Sequence, residues 1–182
     1  LGWYLRVAET ATTSGGSVTV YSGTTNRVLA SRILSSWYGN YCVIKNGGVW
    51  CWGSNTNGQL GDNSTTVRNS PVAVLKSDLT PLTGAVAVAT SNTHTCAVTD
   101  DKSLWCWGAN AAGQLGDGTT TASKTAVKVK ASLGVDLTDI VDVAVAGDAS
   151  NSGTSGFTCA INTSGALFCW GLNSSLAWAI AF

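Results

Sequence analysis

Six cysteines fall into three close pairs, Cys42 with Cys51, Cys96 with Cys106 and Cys159 with Cys169, with eight or nine residues between partners. Turn-forming stretches occupy the middle of each interval: Lys45-Asn46-Gly47-Gly48, Thr99-Asp100-Asp101-Lys102-Ser103 and Asn162-Thr163-Ser164-Gly165. Val, Ile, Leu, Trp and Phe flank them, so each pair reads as a β-hairpin with its cysteines facing each other across two strands. Such a pair is close enough for a cross-strand disulfide. Zinc is the rival reading, but metal sites favour Cys-x-x-Cys spacing, and six cysteines with a single histidine fit three hairpin bridges better. Each bridge closes a loop of about ten residues, worth roughly 2 to 3 kcal/mol in the chain-entropy account. It also implies an oxidising compartment, extracellular or at the cell surface.

The cysteine pairs sit inside a longer internal repeat. Val49-Trp50-Cys51-Trp52-Gly53-Ser54-Asn55 runs on to Gly58-Gln59-Leu60-Gly61-Asp62, and Leu104-Trp105-Cys106-Trp107-Gly108-Ala109-Asn110 runs on to Gly113-Gln114-Leu115-Gly116-Asp117. A third copy opens as Leu167-Phe168-Cys169-Trp170-Gly171-Leu172-Asn173 and then breaks off. Further short apolar runs recur in register, Pro71-Val72-Ala73-Val74 with Ala126-Val127-Lys128-Val129, then Val86-Ala87-Val88 with Val141-Asp142-Val143. The unit therefore has four short strands. Its period is 54 residues from Cys42 to Cys96 and 63 from Cys96 to Cys159, the excess being a Gly/Ser-rich insert around Gly147 to Gly156. This divides the chain into residues 1–36, strands of an incomplete preceding repeat, and repeats over about 37–91, 92–146 and 147–182.

Strand alternation puts Trp105 and Trp107 on one face and Leu104 and Cys106 on the other, so both faces are apolar. Sheets of that kind must stack face to face as propeller blades do, with Trp50, Trp52, Trp105, Trp107, Phe168 and Trp170 as the blade core. The fold class is all-β: four-stranded repeat sheets of β-propeller type. The paired cysteines together with Cys-Trp-Gly-x-Asn-x-x-Gly-Gln-Leu-Gly-Asp resemble the regulator of chromosome condensation repeat family, most strongly over Cys42 to Asp117. The paired cysteines are similar to those of secreted bacterial members. The resemblance implies a propeller, typically of seven blades; with three hairpins this chain is expected to form about three blades, an incomplete ring.

The formal net charge is zero and the ten basic residues are scattered, which gives no electrostatic footprint for nucleic acid. The longest apolar run, Leu176 to Phe182, is far shorter than the roughly 20 residues of a spanning helix, so membrane insertion is not expected. The chain begins at Leu1 and contains no Met, as a processed product or part of a longer protein would. His94 stands beside a strand where the other repeats have Asn40 and Phe157, so it reads as a structural hydrogen-bonding residue. Asp136, Asp139 and Asp142 lack the glycine turn and bidentate Glu of a calcium loop. The glycines have no phosphate-loop context. Asn63-Ser64-Thr65, Asn162-Thr163-Ser164 and Asn173-Ser174-Ser175 fit the glycosylation sequon. No catalytic residue, cofactor or metal ligand is assigned.

Three functions fit these features. The first is a non-catalytic scaffold that binds an extracellular protein or glycan through the loops that vary between repeats, Asn63 to Asn69, Gly118 to Lys124 and Gly147 to Gly156. The second is a self-assembling filament or sheath subunit. Leu176, Trp178, Ile180 and Phe182 alternate with alanines at one end, while Val18 and Val20, and before them Trp3, Leu5 and Val7, supply apolar strands at the other. Such edges must be paired in cis or lent head to tail to another copy. Guanine-nucleotide exchange is a remote third, since it belongs to a reducing compartment where hairpin disulfides would not persist.

Overall fold

In the computed structural model, which describes residues 8–13, 16–21, 34–37, 39–132, 134–147 and 152–172, each cysteine stands directly opposite its partner on neighbouring antiparallel strands. All three pairs are disulfide-bonded, with Cα atoms 4.1 Å apart, the close approach of a non-hydrogen-bonded antiparallel pair. Local chemistry sets this register. In the first hairpin Asn46 and Gly47 take φ of 52° and 73°, the left-handed pair that a two-residue hairpin loop requires. Non-reducing peptide mapping should recover three short closed loops and no free thiol; cross-repeat linkages would contradict this register.

A sheet is built around each hairpin. The first comprises β3 (Leu34–Trp37), β4 (Asn40–Lys45), β5 (Gly48–Gly53) and β6 (Arg68–Ala73), and the second β7 (Ala85–Thr90), β8 (His94–Thr99), β9 (Leu104–Gly108) and β10 (Ser123–Lys128), each ordered as in sequence. The third has three described strands, β13 (Ile140–Gly147), β14 (Gly156–Asn162) and β15 (Leu167–Gly171). A two-stranded ladder, β11 (Lys130–Ser132) with β12 (Val135–Asp136), connects the second sheet to the third, and β1 (Ala8–Thr13) pairs with β2 (Gly16–Tyr21) as a separate hairpin.

The sheets stack as their two apolar faces demand. Cys42, Ile44, Val49 and Cys51 of the first meet Val88, Ala97 and Trp107 of the second. From its opposite face the second presents Ala89, Cys96, Leu104 and Cys106 to Val143, Ala160 and Trp170 of the third. Each interface is thus a disulfide face against a tryptophan face, and β8, sandwiched from both sides, is buried along its whole length. At the outer edge a parallel bridge joins Lys76 to Ala126, with the Ala126 N–H donating to the Leu75 carbonyl at 2.8 Å.

Two expectations are revised. The sheets are offset from repeats cut at 37, 92 and 147: residues 85–90, placed at the end of one repeat, are the first strand of the next sheet. For the same reason Leu34 does not close a preceding repeat but opens β3, where it pairs with Val43. Hydrogen bonding to the following hairpin, invisible in the spacing, decides membership. Val18 and Val20 pair in cis with Ala11 and Glu9, one of the two pairings open to such an edge. Leu176, Trp178, Ile180 and Phe182 lie outside the described residues, as do Trp3, Leu5 and Val7.

Candidate functional site

The repeated Gly-Gln-Leu-Gly-Asp stretch is an organised loop. Asn55 is buried with every polar atom engaged: its Oδ1 accepts from the Leu60 N–H at 2.9 Å, and its Nδ2 donates to Asp62, to the Ser64 carbonyl and to the Thr66 carbonyl, each at 3.1 Å. Asn110 repeats this on Leu115, Asp117, Thr119 and Thr121. Burial works to raise the pKa of Asp62, but hydrogen bonds from Ser64, Arg68 and Asn55 outweigh it and hold the carboxyl below its ordinary range. The frame fixes the base of each loop, while residues 63–69 and 118–124 project mostly exposed from it with different sequences.

Gln59 and Gln114 tie each loop to the following sheet. The Gln59 side chain accepts from the Asn57 N–H and donates to the Asn92 carbonyl, while its own carbonyl accepts from Thr95 Oγ1 at 3.0 Å and Trp107 Nε1 at 2.9 Å. The Gln114 carbonyl likewise accepts from Thr158 Oγ1 at 2.7 Å and Trp170 Nε1 at 3.1 Å. The repeated motif does not by itself reveal this tie. The recurrence of Thr and Trp at fixed distances from each cysteine was the available signal.

His94 occupies the second of these junctions. Thr158 donates its hydroxyl proton to Gln114, so it accepts from His94 Nε2, 3.0 Å away, and Nδ1 faces Ser91 Oγ at 3.0 Å. The ring is therefore the neutral Nε2–H tautomer, and burial pushes its pKa down to about 3. The unfolded chain binds a proton near the ordinary value of 6.5 and the folded chain does not. Stability is thus fully present above that value and falls with acidification, by about 1.4 kcal/mol per pH unit, until the folded value is reached. The carboxylates held low among the described residues, Asp62, Asp78, Asp101 and Asp136, add their own loss of stability as the pH falls toward and through their ordinary 3.8. Between roughly pH 6 and pH 5 the slope therefore comes mainly from the single histidine, and His94→Gln should flatten it in urea titrations taken across that range.

The structure separates the six aromatics assigned to the core. Trp52 and Trp107 are fully buried and Trp105 and Trp170 half-buried, but Trp50 and Phe168 are each 38% exposed. Phe168 shares a sheet face with Ala160 and Trp170, while on the opposite, open face of the third sheet Leu167 is 45% exposed although its counterparts Val49 and Leu104 are buried. Trp105 packs against the cluster that joins the first two sheets and lies under Lys128, whereas Trp50 belongs to no such cluster among the described residues and has Ala73 across from it. Asp136 pairs with Lys130 and Lys128, and the Lys130 hydrogen bond first of all lowers its pKa.

Comparison with known proteins follows this geometry. The sequence profile of the regulator of chromosome condensation (RCC1) repeat matches residues 46–98 and 101–150, and a second profile of the same repeat matches residues 85–114. Human E3 ubiquitin-protein ligase HERC2 is 37% identical over 82 residues, 44% of this chain and 2% of that protein. A Protein RCC2 homolog of Danio rerio is 33% identical over 81 residues, 43% of this chain and 15% of its own length. Human WBSCR16 superposes with a TM-score of 0.61 at 22% identity, over 76% of this chain and 32% of the other. Yeast RCC1 (Prp20), solved bound to Kap60, gives 0.56 at 21% identity over 78% and 32%. The chain thus spans about a third of these solved chains and still less of the curated relatives, and its sheets have the fold of their blades: about three, a partial ring.

Proposed function

The chain belongs to the regulator of chromosome condensation (RCC1) repeat family, and on that footing we propose that it is a non-catalytic extracellular or cell-surface scaffold that binds a protein or glycan. The observation that carries this reading is the contrast between frame and tip. Asn55 and Asn110 hold two loops with the same hydrogen bonds, while the exposed tips, Asn63 to Asn69 and Gly118 to Lys124, differ in sequence. Rigid supports with variable exposed loops suit recognition. The disulfides support secretion into an oxidising compartment, in the manner of secreted bacterial members. Grafting the second tip onto the first preserves loop length and the asparagine hydrogen bonds of the frame, and removes only the part-exposed Arg68–Asp62 pair. It should abolish or redirect binding to an extracellular protein and glycan array at unchanged melting temperature. An unaltered profile would remove the tips as binding elements.

One observation favours assembly as a second reading. On the third sheet Ile161 is 36% exposed, whereas its counterpart in the first sheet, Ile44, is buried against the neighbouring sheet. That face suits another sheet of the same kind, supplied by a second copy joined head to tail. Sedimentation velocity should then show concentration-dependent polymers; a single monomeric species at high concentration removes this reading.

A further inference from the structure

Trp50 and Trp105 hold equivalent places in the first two sheets, yet only one indole is covered. Lys128 lies across from Trp105 with its Nζ 5.4 Å from the ring centre, and Ala73 lies across from Trp50. An open groove of about 480 Å³ lies over Trp50, with Ala73 in its lining. Pro71 and Pro81, the only prolines in the chain, form rigid walls, and exposed Lys45, Asn46 and Thr83 stand at the rim.

We propose that this groove binds carbohydrate: one pyranose ring of a linear β-linked oligosaccharide lays its C–H face on Trp50, and its hydroxyls reach Lys45, Asn46 and Thr83.

The chemistry of the walls selects this ligand over its rivals. An indole face carries negative π density and attracts either a cation or the partly positive hydrogens of a C–H surface. A cation would meet Lys45, and no carboxylate lines the groove among the described residues, so like charges would face each other without compensation. A peptide adding a strand to β6 would need a main-chain donor at its edge. At the corresponding place in the second sheet the Ala126 N–H donates to the Leu75 carbonyl, but Pro71 has no N–H to give. A polyproline peptide docks between several aromatic ridges, whereas Trp50 is the single aromatic among the described lining residues. An apolar floor with a few polar side chains at its rim remains, the composition of a small-molecule site.

The groove adjoins the β4–β5 turn, at the opposite end of the first sheet from the loop that carries residues 63–69, because Lys45 pairs with Gly48 at one end and Gly53 with Arg68 at the other. This inference therefore goes beyond the loop-based scaffold reading and fails separately from it.

Cellotetraose and chitotetraose are the probes, followed by calorimetry and tryptophan fluorescence on the intact disulfide-bonded chain. At least one should bind at millimolar concentration or below. Ala73→Lys is the decisive variant. It reproduces the Trp105–Lys128 pair already present in the second sheet, so it should keep the wild-type melting temperature while weakening sugar binding at least about tenfold. Trp50→Ala should weaken it as much. If neither sugar binds the wild type, or if Ala73→Lys binds as well as the wild type, the proposal is wrong. It is equally overturned if a proline-rich peptide binds the wild type and Ala73→Lys abolishes that binding instead. The tip-grafted chain should bind the sugars normally; loss of binding there would move the site to the loops.

Discussion

Replacing Trp107 by Ala should lower the unfolding free energy by about 3 to 5 kcal/mol, the range for truncating a buried aromatic between packed elements. Trp107 and Trp52 are the largest fully buried side chains, and Trp107 belongs to the cluster that joins the first two sheets. Its ring packs on Gly61, and its Nε1–H is fixed to the Gln59 carbonyl at 2.9 Å. Truncation opens a cavity there and breaks the bond, although Thr95 still donates to the same carbonyl. Trp107→Phe divides the effect: it keeps most of the volume and loses the indole hydrogen bond, which alone is worth about 1 kcal/mol. Trp50→Ala is the control, because that ring is already part-exposed, and should cost well under half as much. Urea denaturation with the disulfides intact measures all three. Equal losses for Trp107→Ala and Trp50→Ala would mean that the sheets are not held face to face through this residue.

That contrast shows where sequence reading succeeds and where it stops. The cysteine spacing contains the hairpin register, because a strand pair admits one partner opposite each residue once the turn is placed. The alternation around Leu104-Trp105-Cys106-Trp107 contains the stacking, since two apolar faces leave no side for water. Trp50 and Trp105 are indistinguishable to the same argument. What separates them is the residue across the sheet and the neighbour beyond it, Ala73 rather than Lys128, which is a pairing between segments about twenty residues apart. The sheet boundaries were hidden similarly. Val86-Ala87-Val88 repeats faithfully as Val141-Asp142-Val143, but periodicity fixes a repeat's length and not its starting point. Only the hydrogen bonds of β7 to β8 assign that strand to the second sheet. The loop motif was legible as a loop, and its Gln59 and Gln114 carbonyls were not, because main-chain acceptors leave no mark on residue identity.

Gly116 and Gly113 lie in one loop with φ of 66° and 75°, and replacing each by Ala should separate conformational strain from crowding. In the left-handed region a Cβ costs roughly 1 to 2 kcal/mol, offset in part by the reduced freedom of the unfolded chain. Gly113 has nothing within 4 Å of the added atom, so Gly113→Ala should cost only that difference, about 1 kcal/mol. At Gly116 the new Cβ would press into the Trp170 indole, 2.8 Å from its Cε2, and stand 3.0 Å from Val129 Cγ1. The ring is tethered through Nε1 to Gln114 in the same loop, so it cannot withdraw without breaking that bond. Overpacking of this kind adds roughly 1 to 3 kcal/mol, and Gly116→Ala should be the more damaging change by that margin. Gly61→Ala repeats the experiment against Trp107, whose Cδ1 and Nε1 would both lie 2.9 Å from the Cβ. Trp107 is fully buried where Trp170 is half-exposed and freer to yield, so the loss at Gly61 should exceed that at Gly116. Combining Gly116→Ala with Trp170→Ala should recover part of the loss, a coupling expected only if the two groups collide. Equal costs at Gly113 and Gly116, with no coupling to Trp170, would show that backbone conformation alone reserves these positions for glycine.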